Sequence, residues 1–100
     1  MVRTMIENRW SIKYSAKFRK EYRKAHKQAK DMRLVDWIIN ELANDRPLPV
    51  KHRDHALTGD WKGFRECHVT PDLLLIYSKT NEGELVLVLV RLASHSTLDF

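Results

Sequence analysis

The stretch DHALTGDWKGFRECHVTPD, residues 54–72, decides the fold because it sets one polar strand before two apolar ones. The apolar runs that follow are LLLIY at residues 73–77 and LVLVLV at residues 85–90. Nearly continuous apolar runs are typical of strands that lie centrally in a sheet and are covered by helices. Turn residues separate three predicted strands, which are Trp61–Val69, Leu73–Lys79 and Glu84–Leu92.

The chain before this stretch predicts a short strand and then a helix. Trp10, Ile12 and Tyr14 alternate with polar residues, which is the pattern of a strand with one buried face. Ser15 is the predicted N-cap of a helix that runs to about His26. Its apolar stripe consists of Phe18, Tyr22, Ala25 and Ala29.

A second helix is predicted over Met32–Ala43, with Asp31 as its N-cap and Pro47 beyond its end. Its apolar stripe consists of Met32, Val35, Ile38, Ile39 and Leu42. A polar loop over Leu48–Asp60 then leads to the three strands. The order β-α-α-β-β-β predicts an α+β domain with two helices packed on one face of a mostly antiparallel sheet.

The length of 100 residues is enough for one core. We expect a flexible N-terminal arm over residues 1–9 and a single domain over residues 10–100. The chain has no apolar run of about 18 residues that would span a membrane, and no apolar leader. Its single cysteine, Cys67, is predicted to be a small core residue. We therefore expect a cytoplasmic protein without a membrane partner.

The charge of the chain is concentrated in its N-terminal half. Between Lys13 and Lys30, eight lysines and arginines are present with one acid, Glu21, whereas from Asp54 onward seven acids accompany four bases. This imbalance exceeds that of an ordinary salt-bridged helix surface. It predicts a polyanionic partner or an acidic protein partner. The alternative is a solvated helix face that only keeps the protein in solution.

The candidates for chemistry are His55, His68, Asp72, Arg91 and His95. His68 ends a predicted strand and Asp72 follows the next turn, so we expect the imidazole and the carboxylate within hydrogen-bond reach. Arg91 and His95 are four residues apart and share a face if the strand continues. An arginine at the end of an apolar run also needs an anionic partner.

This set of residues suits cleavage of RNA through the 2′-hydroxyl. One group must take the proton of the 2′-hydroxyl and another must protonate the leaving 5′-oxygen. Histidine suits both steps because its ordinary pKa is about 6.5. The planar guanidinium of arginine matches the charge of a phosphorane-like transition state. The mechanism uses no metal and no cofactor.

A zinc site is the rival interpretation of the same residues. Cys67 and His68 are adjacent in a predicted strand, so their side chains point to opposite faces, and no paired cysteine or histidine spacing is present. The two other histidines, His26 and His52, lie in strongly basic surroundings and are expected at the surface.

Residues 54–72, with Arg91 and the SHS triplet around His95, resemble the YafQ branch of the RelE/ParE toxins. The shared string is D-H-x-L…W-K…F-R-x-C-H-x-x-P-D, and the resemblance extends from about Trp10 to the C-terminus. These proteins are the toxins of bacterial type II toxin–antitoxin systems. The resemblance implies a compact α+β domain of the microbial-ribonuclease type. It also implies ribosome-dependent cleavage of mRNA in the A site, and hence inhibition of translation.

The resemblance further implies roles for individual residues. His95 is implied as the general acid and Arg91 as the charge stabiliser. His55, His68 and Asp72 are implied to share the tasks of base and of orienting group, with the base itself left open.

The resemblance also implies partners. An antitoxin covers the basic surface with an acidic segment, the ribosome and mRNA are targets, and operator DNA is reached only through the antitoxin. Family members often have an aromatic residue four positions after the last histidine; Asp99 is at that position here, so Phe100 is the candidate for base stacking. The residues expected to bind RNA or the ribosome are Lys17, Lys20, Arg23, Lys24, Lys27, Lys51, Arg53, Lys62 and Phe100.

Two alternatives share the fold. One is a toxin that acts by binding alone, directed at gyrase, and the other is an inactive relative that only pairs with an antitoxin and DNA. An unrelated basic nucleic-acid-binding protein is a further possibility, in which the histidines have no function.

Overall fold

A computed structural model describes residues 8–98 and contains one five-stranded sheet with two long helices on one face. The elements in chain order are β1 (Ser11–Tyr14), α1 (Ala16–Lys27), α2 (Met32–Ala43), β2 (His55–Ala56), β3 (Arg65–His68), β4 (Leu73–Asn81), β5 (Leu85–Ser94) and α3 (His95–Leu98). Single turns of 3-10 helix lie at Val50–His52 and Gly59–Trp61.

The strands are arranged in the order β1-β5-β4-β3-β2. β1 runs parallel to β5, and every other neighbouring pair is antiparallel. The predicted α+β class and the mostly antiparallel sheet are therefore confirmed. None of the helices in residues 8–98 is long and apolar enough to cross a membrane.

The region before β3 differs from its prediction. The predicted strand Trp61–Val69 is reduced to four residues, because a 3-10 turn and then Gly63, at φ 96°, occupy its first part. The predicted loop before it contains the two-residue strand β2, which pairs with β3. The short helix α3 was not predicted at all.

The main core lies between the sheet and the two helices. Phe18 of α1 and Ile38 of α2 pack there with Leu75, Leu87 and Leu89 from the two central strands. Buried aliphatic and aromatic side chains each contribute roughly 1.5–3 kcal/mol by leaving water. Cys67 is fully buried in this core, as predicted.

One residue of the predicted apolar stripe of α1 lies elsewhere. Ala29 follows the end of the helix at φ 58° and is exposed. The backbone N–H groups of Ala29 and Lys30 donate to the carbonyls of His26 and Ala25, which closes the helix with a left-handed turn. The chain needs this turn to reverse into α2, and glycine is the residue that usually adopts it.

The start of α1 is fixed to the central strand β5. The hydroxyl of Ser15 accepts from the N–H of Phe18, as a cap should, and donates to the carbonyl of Val90 at 2.8 Å. Ile76 pairs with Arg91 while Tyr77 pairs with Leu89, so Val90 is the extra residue of a β-bulge.

Glu21 joins α1 to β5 beside this bulge. Its carboxylate accepts from Nε and Nη2 of Arg91, at 3.0 and 2.8 Å, and from the backbone N–H of Leu92 at 2.9 Å. Only 11% of the Glu21 side chain and 20% of the Arg91 side chain are exposed. Bidentate contacts of this kind are among the stronger hydrogen bonds in proteins.

The N-terminal residues that are described contact the end of α2. The backbone N–H of Arg9 donates to Asn44, and its guanidinium pairs with Asp45 at 2.9 Å. Asn44 also donates to Asn8. Residues 1–7 of the expected arm lie outside the described part of the chain, so the flexibility of the arm stays a prediction.

Replacement of Glu21 by alanine should lower the free energy of unfolding by about 3 kcal/mol, because it leaves Arg91 partly buried without its partner. Urea denaturation followed by circular dichroism measures the change. Glu41→Ala is the matched control, since it removes an ion pair to the half-exposed Arg46 and should cost at most about 1 kcal/mol. Equal effects of the two substitutions would contradict this account.

Candidate functional site

The candidate site lies on the face of the sheet that α1 and α2 leave uncovered. Successive residues of a strand point to opposite faces, so β3 directs Cys67 into the main core and Glu66 and His68 to the other side. Glu66 pairs with Ile76 and His68 with Leu74 on β4. A second apolar cluster supports this face, and its buried members are Leu74, Ile76, Ala93 and Leu98.

His55 reaches the site from β2, where it is paired with Glu66. The segment before it is held by Asp54, whose carboxylate accepts from the hydroxyl of Tyr77 at 2.6 Å and from Nε of Arg65 at 3.3 Å. Arg53 has left-handed backbone geometry, at φ 49°. Its carbonyl accepts a hydrogen bond from Nδ1 of His55, which orients the imidazole.

Glu66 is the central residue of the site and was missed by the sequence analysis. Its Oε1 lies 3.4 Å from Nε2 of His55 and 3.6 Å from Nε2 of His68. The residue is 4% exposed, and its Oε2 makes no hydrogen bond within residues 8–98. The signal in the sequence was the spacing of two between Glu66 and His68, which places both on one face of a strand.

The contact between Glu66 and His55 uses the second ring nitrogen of the histidine. Because Nδ1 of His55 donates to a carbonyl, Nε2 is the nitrogen that faces the carboxylate, 3.4 Å from Oε1 of Glu66.

His68 lies between the other two imidazoles. Its ring centroid is 6.4 Å from that of His55 and 5.5 Å from that of His95, the first residue of α3. Burial lowers the pKa of His68 below its ordinary value, while the charge of Glu66 opposes the shift. Arg53, His95 and His55 add to the lowering as nearby positive charges. His68 is consequently neutral at pH 7 and able to accept a proton.

Three predicted site residues are arranged differently from their prediction. Asp72 is exposed and makes no hydrogen bond or ion pair within residues 8–98, so the carboxylate beside His68 is that of Glu66. β5 ends at Ser94, so the expected common strand face of Arg91 and His95 does not exist. Arg91 is paired with Glu21 instead. Phe100 lies outside the described residues.

His52 is a further correction, because it is only 3% exposed and not a surface residue. Its Nδ1 lies 2.7 Å from the carbonyl oxygen of His68, so this nitrogen donates. The bond links the 3-10 turn to the end of β3. His26, by contrast, is exposed as predicted.

The predicted RNA-binding residues within the described chain are all exposed, and they are Lys17, Lys20, Arg23, Lys24, Lys27, Lys51, Arg53 and Lys62. Most of these basic residues lie on α1, the basic helix. The C-terminal end of this helix comes close to the site. Lys24 and Lys30 line a cavity of about 250 Å³ together with Asp72, Ser94 and Thr97. Lys30 was not among the predicted residues. Within residues 8–98, no three histidine, cysteine or acidic side chains are placed to share one metal ion.

Solved structures of other proteins have the same fold. A metal-bound toxin from Helicobacter pylori superposes with a TM-score of 0.83 at 44% identity, over 89% of this chain and 98% of that one. YafQ in the Escherichia coli DinJ–YafQ toxin–antitoxin complex superposes with a TM-score of 0.80 at 37% identity, over 90% and 97%. The sheet and its helices thus define a RelE-like α+β toxin domain.

The sequence narrows this class to one family. The family described as bacterial toxin of type II toxin-antitoxin system, YafQ, matches residues 10–99. The mRNA interferase toxin YafQ of Escherichia coli is 39% identical over 88 residues, which are 87% of this chain and 92% of that protein. The chain belongs to the YafQ family of toxins.

The lowered pKa of His68 predicts a pH dependence of stability. Between the folded pKa and the unfolded value of 6.5, the unfolded chain binds more protons than the folded one. The contribution of His68 to the free energy of unfolding should therefore be complete above about pH 6.5 and decline as the pH falls through this window. Urea denaturation from pH 7.5 to 4.5 measures this slope, which should be smaller in His68→Gln.

Glu66→Gln should lower the pKa of His68 further, because it removes the one charge that opposes the shift. NMR titration of the His68 ring measures the midpoint. Glu82→Gln, at an exposed position between β4 and β5, is the control and should leave the midpoint unchanged. An equal or higher midpoint in Glu66→Gln would show that the carboxylate does not act on this ring.

Proposed function

We propose that this protein is an mRNA interferase, the toxin of a type II toxin–antitoxin system, which cleaves mRNA on the ribosome in the cytoplasm by acid–base chemistry. The observation that supports it most is the placement of His68 between His55 and His95, with Glu66 in contact with two of the three rings. The curated relative from Escherichia coli carries the name mRNA interferase, and this activity fits the site.

The two proton transfers are assigned to His68 and His95. His68, neutral at pH 7, takes the proton of the 2′-hydroxyl, whose oxygen then attacks the phosphorus. The 5′-oxygen leaves with a proton from His95, so a 2′,3′-cyclic phosphate and a free 5′-hydroxyl result. Glu66, whose Oε1 is 3.6 Å from Nε2 of His68 and 3.4 Å from Nε2 of His55, orients both rings. A ring separation of 5.5 Å allows the two imidazoles to flank one phosphate.

The charge of the phosphate is assigned to two arginines. Arg53 is exposed and its charge acts on His68. Arg91 uses Nε and Nη2 for Glu21, while its Nη1 makes no hydrogen bond within residues 8–98. A guanidinium presents several donors in a fixed plane, so Arg91 can bind Glu21 and still offer Nη1 to a phosphate. Asp72, at the mouth of the cavity that Lys24 and Lys30 line, would orient a ribose hydroxyl or a base.

The basic face of α1 is proposed to serve two partners in turn. Its exposed lysines and arginines would bind ribosomal and messenger RNA in the active toxin, together with Lys51, Arg53 and Lys62. An acidic antitoxin segment would occupy the same charges in the inhibited complex, with operator DNA bound by the antitoxin. The DinJ–YafQ complex of the Escherichia coli relative supports a partner of this kind.

His95→Ala should abolish growth arrest on induced expression in bacteria, because the leaving oxygen loses its acid. The loss in cleavage rate should be roughly 10²- to 10⁴-fold. Mapping of mRNA 5′ ends measures it, and the wild type should cut translated messages in frame. His26→Ala, at an exposed position of α1, is the matched control and should cut as the wild type does.

Other outcomes of this experiment distinguish the alternatives. If growth stops while messages stay intact, and if His95→Ala stops growth equally, a toxin that acts by binding is favoured, such as one directed at gyrase. Absence of any effect from the folded wild type would favour an inactive relative that only pairs with an antitoxin.

Ribosome binding should depend strongly on salt. Each lost phosphate contact should reduce the slope of log affinity against log salt by about one, so Lys20→Gln with Lys24→Gln should reduce it by about two. Titration of labelled protein into ribosomes at about 50 to 200 mM salt measures the change in this slope. Lys79→Gln is the control because Lys79 is paired with Asp45 at 2.6 Å. An unchanged slope in the variant with both substitutions would contradict the assignment of Lys20 and Lys24 to phosphate contacts.

A further inference from the structure

A second cavity adjoins the histidine site, and none of the groups assigned above occupies it. It has a volume of about 280 Å³ and lies between α2, the Val50–His52 turn and the turn that joins β3 to β4. Leu34, Val69 and Pro71 supply its apolar walls. His68 supplies another wall, so any group in the cavity lies directly beside the imidazole that we propose as the base.

The size and lining of the cavity suit one flat ring. Sites for drug-sized ligands occupy about 300–1,000 Å³, so 280 Å³ is suited to a smaller group. Proteins that recognise single-stranded RNA take up unstacked bases against apolar and aromatic side chains, including histidine. Most of the residues that line the cavity are of this kind, with two imidazoles among them.

The polar groups of the cavity can read the edge of a base. Nδ1 of His52 donates to the carbonyl of His68, so in the neutral ring Nε2 is the acceptor that remains. The hydroxyl of Thr70 accepts from the N–H of Leu73 at 3.2 Å, which leaves its proton to donate. Lys51, which also lines the cavity, has no ion-pair partner within residues 8–98.

Two exposed apolar side chains lie near His52, one of the residues that line the cavity. They are among the three large hydrophobic residues of the described chain that are exposed. Val50, at 93% exposure, is in the same turn as His52, and Trp37, at 42%, has its ring 6.3 Å from that of His52. Tyr14, the third, lies on β1. Apolar groups left in water beside a lined cavity indicate a surface that a ligand covers.

We propose that this cavity binds one base of the mRNA next to the scissile phosphate and so sets the sequence preference of cleavage. Trp37 provides a stacking surface for a neighbouring base, and Lys51 binds the phosphate between them. An acceptor at His52 and a donor at Thr70 can pair with an N–H group and a neighbouring acceptor on the edge of the base. The inference rests on the proposed ribonuclease function.

The test is cleavage of a reporter mRNA whose A-site codon is randomised, with the purified protein and translating ribosomes. The wild type should prefer some bases over others at one codon position. Thr70→Val should reduce that preference roughly 3- to 10-fold, the size of one neutral hydrogen bond, by slowing the cleavage of the favoured codons. Thr70→Ser, which keeps the hydroxyl and its bond to the N–H of Leu73, should retain the preference.

Trp37→Ala should lower kcat/KM on all codons roughly tenfold through KM, because it removes a stacking surface. Tyr14→Ala is the matched control, since Tyr14 is an equally exposed aromatic residue outside the cavity. Both residues are at the surface, so both variants should fold, and thermal unfolding checks this.

The possible failures are separable. In-frame cutting with one base profile for the wild type and Thr70→Val, and with equal kcat/KM for the wild type and Trp37→Ala, would overturn the base-binding cavity and leave the ribonuclease standing. No cutting by a folded wild type would overturn both proposals together.

Discussion

The carboxylate of Glu21 is the contact that fixes how the two layers of this protein are joined. It binds a side chain, Arg91, and the backbone of the next residue, Leu92, at the point where β5 is bulged. A change of one residue in register would move every later side chain to the opposite face. The bulge sends Leu92 into the main core and Ala93 to the opposite face. The face on which His95 emerges therefore depends on this strand irregularity, which α1 holds in place.

The face of the sheet that carries the histidines contains a buried acidic residue. A carboxylate oxygen of Glu66 is buried without a hydrogen bond within residues 8–98, and such a group normally costs about 1–3 kcal/mol or more. The other oxygen of the same carboxylate lies 3.4 and 3.6 Å from two imidazoles. Its charge opposes the lowering of the pKa of His68 by burial, so the basicity of that ring depends on the balance of the two effects.

The long elements of the fold could be predicted because their apolar residues follow a regular pattern along the chain. The apolar stripes of α1 and α2 and the runs of β4 and β5 are long enough for a pattern to be recognised, and α2 was predicted with the bounds that it has. β2 has two residues and α3 has four, so neither can show a period. Their positions depend on pairing with β3 and on the end of β5, which local sequence does not encode.

The site was predicted in its residue types more than in its contacts. The need of Arg91 for an anion could be read from its position after an apolar run, but Glu21 lies 70 residues away and only the fold brings it close. His52 looked like a surface residue because its neighbours are basic, yet its ring is buried against the carbonyl of His68. Glu66 was within reach of sequence reasoning, since strand alternation alone places it beside His68.

The parallel pairing of β1 with β5 has a consequence for the order of events during synthesis. Ser11 pairs with Val86, 75 residues later. The basic helix α1, which follows β1, is anchored through Glu21 by Arg91, 70 residues later. Contacts so distant along the chain form late in folding. A nascent chain therefore exposes the basic helix α1 until Arg91 has been made, because the strand that anchors this helix does not exist before then. His95 follows Arg91 in the chain, so it can join His55 and His68 only after the residues of that anchor are present.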